Sequence, residues 1–173
     1  MIFSLRLSAK FIILSGADVQ IDCADLRIVY FGDPEKMNTL NSLDIVRAFV
    51  AKINTHDVAG LCELMPEDHI FIDSLGAIMR GRETMRAGWT GYFSWFPDYQ
   101  ISVSDILAQD YRVGLFGVAR GTYSVTGKLL EENKWEIPAA WRAVVNDGLI
   151  AEWRVYADNS PVLRIMEKYA PKD

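Results

Sequence analysis

Trp135-Glu-Ile-Pro-Ala-Ala-Trp-Arg-Ala-Val-Val145, Asn146-Asp-Gly148 and Leu149-Ile-Ala-Glu-Trp-Arg-Val-Tyr-Ala157 follow one another without a break. Asn-Asp-Gly between two runs rich in β-branched and aromatic residues signals a hairpin, because a tight turn needs residues that tolerate positive φ. Two long antiparallel strands are therefore expected. Towards the N-terminus, Tyr111–Val125 and Tyr99–Ala108 read as two more strands of a meander. Gly114, Gly117 and Gly121 interrupt the longer run, and glycine inside a strand predicts a bulge or strong bend.

Upstream of the meander the period changes to that of a helix. Ile45, Phe49 and Ile53 recur every four residues in a helix expected from an Asn41 or Ser42 cap to about Asn54. Asp57 caps a short second helix, Val58 to Met65, which Pro66 stops. His69–Asp73 reads as a short strand. A third helix is expected over Arg82–Phe96, with Met85, Trp89, Tyr92, Phe93 and Phe96 mostly at helical spacing. Ser160–Tyr169 reads as a short last helix. Helices followed by a strand meander make an α+β fold, a bent antiparallel sheet wrapped round helices.

The 173 residues fit one domain with a sizeable core, and 50% hydrophobic and 12% aromatic content supplies a pocket. A formal charge of -5 with no basic run argues against nucleic acid and anionic membrane as partners. Cys23 and Cys62 lack metal-type spacing, and Cys62 reads as a core thiol. His56 and His69 form no His/Cys cluster, so no metal site is expected. A reducing cytoplasm is the natural compartment. No Gly-x-Ser-x-Gly elbow, phosphate loop or dinucleotide fingerprint is present, and no cofactor is expected.

Residues 1–36 stand apart. Their apolar run Phe11-Ile-Ile-Leu14 is too short to span a membrane. Met37 is expected to be the natural start, with 1–36 an N-terminal extension and 37–173 the domain. The rival reading is an added strand at Leu26–Phe31.

In His69-Ile-Phe-Ile-Asp73-Ser-Leu-Gly76, alternation points His69, Phe71 and Asp73 one way. A carboxylate at the end of an apolar strand is a candidate general base or a structural cap. His69 is either a strand-entry residue with its own hydrogen bond or a proton relay beside Asp73. Parity adds Trp153 and Val155 from the last strand, and Ala140 and Arg142 from the one before. Phe49 on the first helix and Trp89, Tyr92 and Phe96 on the third complete a mostly apolar wall. Arg120 or Arg142, if inward, would hold an anionic oxygen. The opposite parity, Trp135, Ile137, Trp141 and Val145 with Ile150 and Tyr156, would form an aromatic patch, from which a face-to-face homodimer is expected.

Phe71-Ile-Asp73-Ser-Leu-Gly76 with Gly81-Arg-Glu83, and Asn146 to Asp158, resemble the SnoaL-like branch of the nuclear-transport-factor-two-like superfamily, related to polyketide cyclases and ketosteroid isomerases. The resemblance covers roughly Leu43–Asp158. It implies a cone-shaped, strongly curved antiparallel sheet wrapped around three N-terminal helices and enclosing an apolar pocket. It also implies Asp73 as the base at the end of the first strand. The positions of the isomerases' oxyanion-hole tyrosine and aspartate hold Phe49 and Ala140, which donate no hydrogen bond. The late aspartate of cyclases and epoxide hydrolases corresponds to Val155, and Arg120-Gly-Thr122 keeps an arginine without its acid. The implied function is an isomerase, cyclase or hydrolase acting by acid–base chemistry on a small lipophilic carbonyl compound. The alternative is a non-catalytic binding module or a dimeric assembly domain.

Overall fold

The computed structural model describes residues 18–22, 27–31 and 34–170. The chain divides into two compact units, Met1–Met37 and Asn38–Asp173. In the first, β1 (Asp18–Asp22) and β2 (Arg27–Phe31) pair antiparallel, Asp18 opposite Phe31. β2 falls on the stretch where a strand was the rival expectation. The apolar run at 11–14 and Cys23 lie outside the described residues.

Helix α1 (Pro34–Asn54) starts earlier than the Asn41/Ser42 cap predicts, and Ser42 is a buried residue within it. Its C-terminal end is pinned by Asn54, whose side chain both accepts from Ile101 N (2.8 Å) and donates to Ile101 O (2.9 Å). Just beyond, His56 sits at φ 54°, bonds Tyr99 O through Nε2 (2.9 Å) and stacks on Phe93. Helix α2 (Val58–Glu63) is capped as expected by Asp57, which accepts from Gly60 N at 2.8 Å.

β3 (Ile70–Ile72) and β4 (Ile78–Arg80) form a short antiparallel pair, followed by α3 (Arg82–Trp95). The long strands are β5 (Gln100–Gln109), β6 (Arg112–Thr122), β7 (Lys134–Asn146) and β8 (Leu149–Ala157); α4 (Ser160–Glu167) follows. They make a six-stranded sheet of order β4-β3-β8-β7-β6-β5.

This corrects the expected cone-shaped, strongly curved antiparallel sheet. The sheet is open, with β4 and β5 as free edges, and it is mixed, since β3 runs parallel to β8. The glycines of β6 put no bulge into its pairing with β7. The β6–β7 ladder keeps one register from Arg112 opposite Val144 to Thr122 opposite Lys134. Register shifts occur between Val103 and Asp105 on β5, opposite Gly117 and Phe116, and between Val144 and Val145 on β7. Gly117 serves close approach: a Cβ there would lie 2.0 Å from Ser102 O.

β7 alternates cleanly, and the buried set is Trp135, Ile137, Ala139, Trp141, Ala143 and Val145. Val46, Phe49 and Ile53 of α1, Leu61 and Met65 around α2, and Trp89 and Phe93 of α3 share one core with them. Phe49 meets Trp153 of β8 at 5.0 Å between ring centroids. On β7 the predicted parity is therefore inverted. Trp135, Ile137, Trp141, Val145 and Ile150 are core residues of their own chain, so the aromatic patch from which a homodimer was expected does not form. Of that set only Tyr156 is exposed.

Candidate functional site

A cavity of about 370 Å³ opens between α3 and the buried face of the sheet. This lies within the range of small-molecule sites, roughly 300–1,000 Å³. Trp89 and Tyr92 form the helix wall, where a spacing of three residues puts both on one side of α3. Trp135, Ile137 and Trp141 come from β7, Trp153 and Val155 from β8, and Phe71 from β3. Register explains the grouping: Phe71 lies opposite Trp153, and Val155 opposite Trp141.

The polar groups are few. Among the described residues that line the cavity, Asp73 alone is charged. It follows β3 and holds the turn to β4. Its Oδ1 accepts from Leu75 N (2.9 Å) and Ala77 N (2.8 Å), while its own N–H donates to Ala77 O. Gly76, at φ 89°, supplies the left-handed step. No hydrogen bond among the described residues engages Oδ2. Ser74 Oγ accepts from Asn159 Nδ2 at 2.8 Å, tying this turn to the start of α4; both residues also line the cavity.

Tyr92 and Tyr99 line it as well and are hydrogen-bonded to each other. Burial pushes both phenols above their ordinary value; the bond from Tyr92 partly offsets this for Tyr99. Both hydroxyls therefore stay protonated at neutral pH. The arrangement is an apolar, aromatic chamber with one carboxylate and a set of neutral donors. It suits a lipophilic molecule that carries a polar group.

The fold thus brings together Phe71, Asp73, Trp89, Tyr92, Trp153 and Val155 of the expected site. Phe49 backs Trp153, and Phe96 backs Tyr92 at 4.9 Å between centroids; neither lines the cavity. His69 is fully buried, and its Nδ1 lies 2.6 Å from Ile150 O. A carbonyl only accepts, so Nδ1 carries the proton. Burial lowers the pKa of His69, against the opposing pull of that carbonyl and of Asp68 and Glu152. It is not part of the cavity wall.

Ala140, Arg142 and Arg120 lie on the other sheet face. Ala140 sits between Phe116 and Tyr156 in the ladder. Arg142 pairs with Glu152 across the β7–β8 hairpin, and Arg120 Nη2 donates to Gln100 Oε1 at 2.6 Å. The unbroken β6–β7 register turns all three away from the cavity, so neither arginine meets Asp73. Sequence reasoning missed Tyr99, Trp135 and Trp141 as wall residues. Charge was the available signal: Lys134, Glu136 and Arg142 share one parity of β7, which marks that face as the solvated one.

No group of three or more His, Cys, Asp or Glu side chains among the described residues is placed to hold a metal ion. No helix among them is long and apolar enough to cross a membrane.

Residues 46–153 match the family model described as a SnoaL-like domain. A search of curated proteins finds no match. Among solved structures, a candidate SnoaL-like polyketide cyclase from Jannaschia sp. CCS1 superposes with a TM-score of 0.66 at 17% identity, covering 82% of this chain and 100% of that one. An LEH-like epoxide hydrolase from M. tuberculosis gives 0.62 at 15% identity, covering 75% and 92%. A protein with a ketosteroid isomerase-like fold from Catenulispora acidiphila DSM 44928, in complex with trimethylamine, gives 0.62 at 19% identity, covering 74% and 98%. At these identities the likeness is one of fold.

Proposed function

The chain belongs to the SnoaL-like domain family, and on that premise we propose that its cavity takes a small lipophilic carbonyl compound and that Asp73 acts as general base on it. The observation that supports this reading is one carboxylate, the sole charged group among the described residues lining an aromatic-walled cavity, with Oδ1 fixed by two backbone N–H groups and Oδ2 without a hydrogen bond among the described residues. The carboxylate takes a proton from the carbon next to the carbonyl, leaving an enolate. The carboxylic acid so formed either trades its proton for one from solvent and reprotonates the same carbon, or passes the proton to a conjugated one. The first outcome is exchange and the second isomerisation, and neither needs a second carboxylate.

The test is proton–deuterium exchange at the methyl group of 2-acetylnaphthalene in D₂O, followed by NMR. Exchange above the buffer rate with the wild-type protein, lost in Asp73→Asn, supports the reading. Exchange unchanged by Asp73→Asn sinks it.

One observation favours a second reading. With Asp73 the only charged residue among the described ones lining it, and with aromatic side chains in the same wall, the chamber also suits a lipophilic ammonium ion held by cation–π contacts. The fold relative in complex with trimethylamine is consistent with that. Tight binding of benzyltrimethylammonium, with none of 2-acetylnaphthalene, would move the assignment to a non-catalytic cation-binding module.

A further inference from the structure

The turn after β3 and the end of β8 meet at the cavity. On β8 the inward parity of Trp153, Val155 and Ala157 runs on past the strand to Asn159, and all four line the cavity. Asn159 stands at the N-cap of α4, where an asparagine side chain ordinarily accepts from the first turn of the helix. Here it makes no such bond. The neighbouring Asp158 accepts from Ser160 N instead, at 2.9 Å, and the Asn159 amide turns to Ser74, 85 residues away in the sequence.

The bond between the two side chains fixes their spacing. Asn159 Nδ2 donates to Ser74 Oγ at 2.8 Å, so the hydroxyl oxygen accepts and keeps its own proton to give. The amide keeps a second N–H. Among the described residues, neither of these donors meets an acceptor. Both residues are only partly buried, and both line the cavity. The indole N–H groups of Trp89 and Trp135 also lack partners, but their nitrogens are sealed in the wall, out of a ligand's reach. Because Oγ and Nδ2 are 2.8 Å apart, one oxygen can lie within hydrogen-bond distance of both, about 2.7–3.2 Å. Ser74 directly follows Asp73, whose carboxylate lines the same cavity. In a ketone the oxygen stands two bonds from the carbon that gives up its proton, so a base and an oxygen site serving one ligand must be neighbours.

We propose that the Ser74 hydroxyl and the second N–H of Asn159 Nδ2 donate to the ligand's carbonyl oxygen and to the enolate oxygen that replaces it. This rests on the reading of Asp73 as general base on a lipophilic carbonyl compound. As the C–H bond gives its proton to the carboxylate, its electron pair forms the C=C bond and the carbonyl π pair moves to oxygen. The two donors stabilise the negative charge placed there, and they do so more strongly than they hold the neutral ketone.

The test compares the wild type with Ser74→Ala, Ser74→Thr and Asn159→Ala. One measurement is affinity for a pair matched in shape, 2-acetylnaphthalene and 2-isopropenylnaphthalene, which differ by C=O against C=CH₂. The other is deuterium exchange into the ketone's methyl group at saturation. The wild type is expected to bind the ketone roughly tenfold more tightly, as befits one or two hydrogen bonds. Each alanine variant should lose most of that preference while binding the hydrocarbon as before, which also reports that the cavity has folded. Each should slow exchange roughly a hundredfold, more than ketone affinity falls, because the oxygen is charged only in the enolate. Ser74→Thr, which keeps a hydroxyl, should restore both.

No ketone preference in the wild type, or a preference and exchange rate unchanged in either alanine variant, would overturn the pair. So would an equal loss of affinity for both compounds, which is what breaking a tie between the turn and α4 does alone. Exchange that Asp73→Asn abolishes and the alanine variants leave untouched keeps the general base and removes the pair. Exchange indifferent to Asp73→Asn, with the ketone preference lost in the alanine variants, removes the base and leaves Ser74 and Asn159 holding the oxygen.

Discussion

Asp73 carries two duties that substitution can separate. Its carboxylate holds the β3–β4 turn through two backbone N–H groups, at 2.9 and 2.8 Å, both on Oδ1. Asparagine offers an amide oxygen in the same place, so Asp73→Asn should keep both bonds and cost under about 0.5 kcal/mol. Alanine removes the acceptor. The two N–H groups are exposed and regain water, so the loss resembles that of a helix N-cap, about 1–2 kcal/mol. For a chain of this size that is a fall in Tm of roughly 3–7 °C. Urea melts followed by tryptophan fluorescence check this, alongside the deuterium-exchange assay. The expected pattern is a graded loss of stability, small for Asn and larger for Ala, with exchange lost equally in both. If Asn is as destabilising as Ala, or if Ala melts with the wild type, the carboxylate does not hold the turn as argued. Exchange that tracks stability would show that only the turn matters.

Other positions give independent checks. His69 is kept neutral by burial, so its folded pKa is below the unfolded value of about 6.5. The unfolded chain then binds the extra proton, and stability present above about pH 6.5 should fall as pH drops, by up to ~1.4 kcal/mol per unit. Urea melts between pH 7.5 and 5.5 measure the slope, which His69→Gln should flatten. Gly117→Ala should cost about 3 kcal/mol, since its Cβ would meet Ser102 O at 2.0 Å. Gly91→Ala on α3, where a Cβ meets nothing within 4 Å, should instead stabilise by about 0.5–1 kcal/mol in the same melts. Arg142→Met and Arg120→Gln should leave ketone affinity within about twofold of the wild type by fluorescence titration, because both side chains lie on the sheet face away from the cavity and neither lines it.

What the sequence makes legible depends on how local the determining interaction is. The Asn146-Asp-Gly148 turn and its flanking periodicity place β8 over the expected residues, Leu149–Ala157, and the α3 pattern errs by one residue at its end. The start of α1 misleads because Asn41 and Ser42 are good caps, yet Pro34, a residue favoured in the first turn of a helix, opens it seven residues earlier. β4 is three residues long and exists through its pairing with β3, so no periodicity announces it. The glycines of β6 carry two opposite messages, bend or close approach, and only the position of Ser102 O decides between them.

The candidate site divides in the same way. A lone carboxylate after an apolar strand can be read from Phe71 to Gly76, and the aromatic wall of α3 from its spacing. The face that β7 turns inward follows from Lys134, Glu136 and Arg142, provided charge is given more weight than the volume of the alternating partners. Whether an indole N–H has an acceptor cannot be read in this way. Trp89 and Trp135 lie 46 residues apart in the sequence and share a wall only because α3 packs over β7. That feature of the chamber is therefore tertiary in origin. The same packing strips water from both donors and locks their rings.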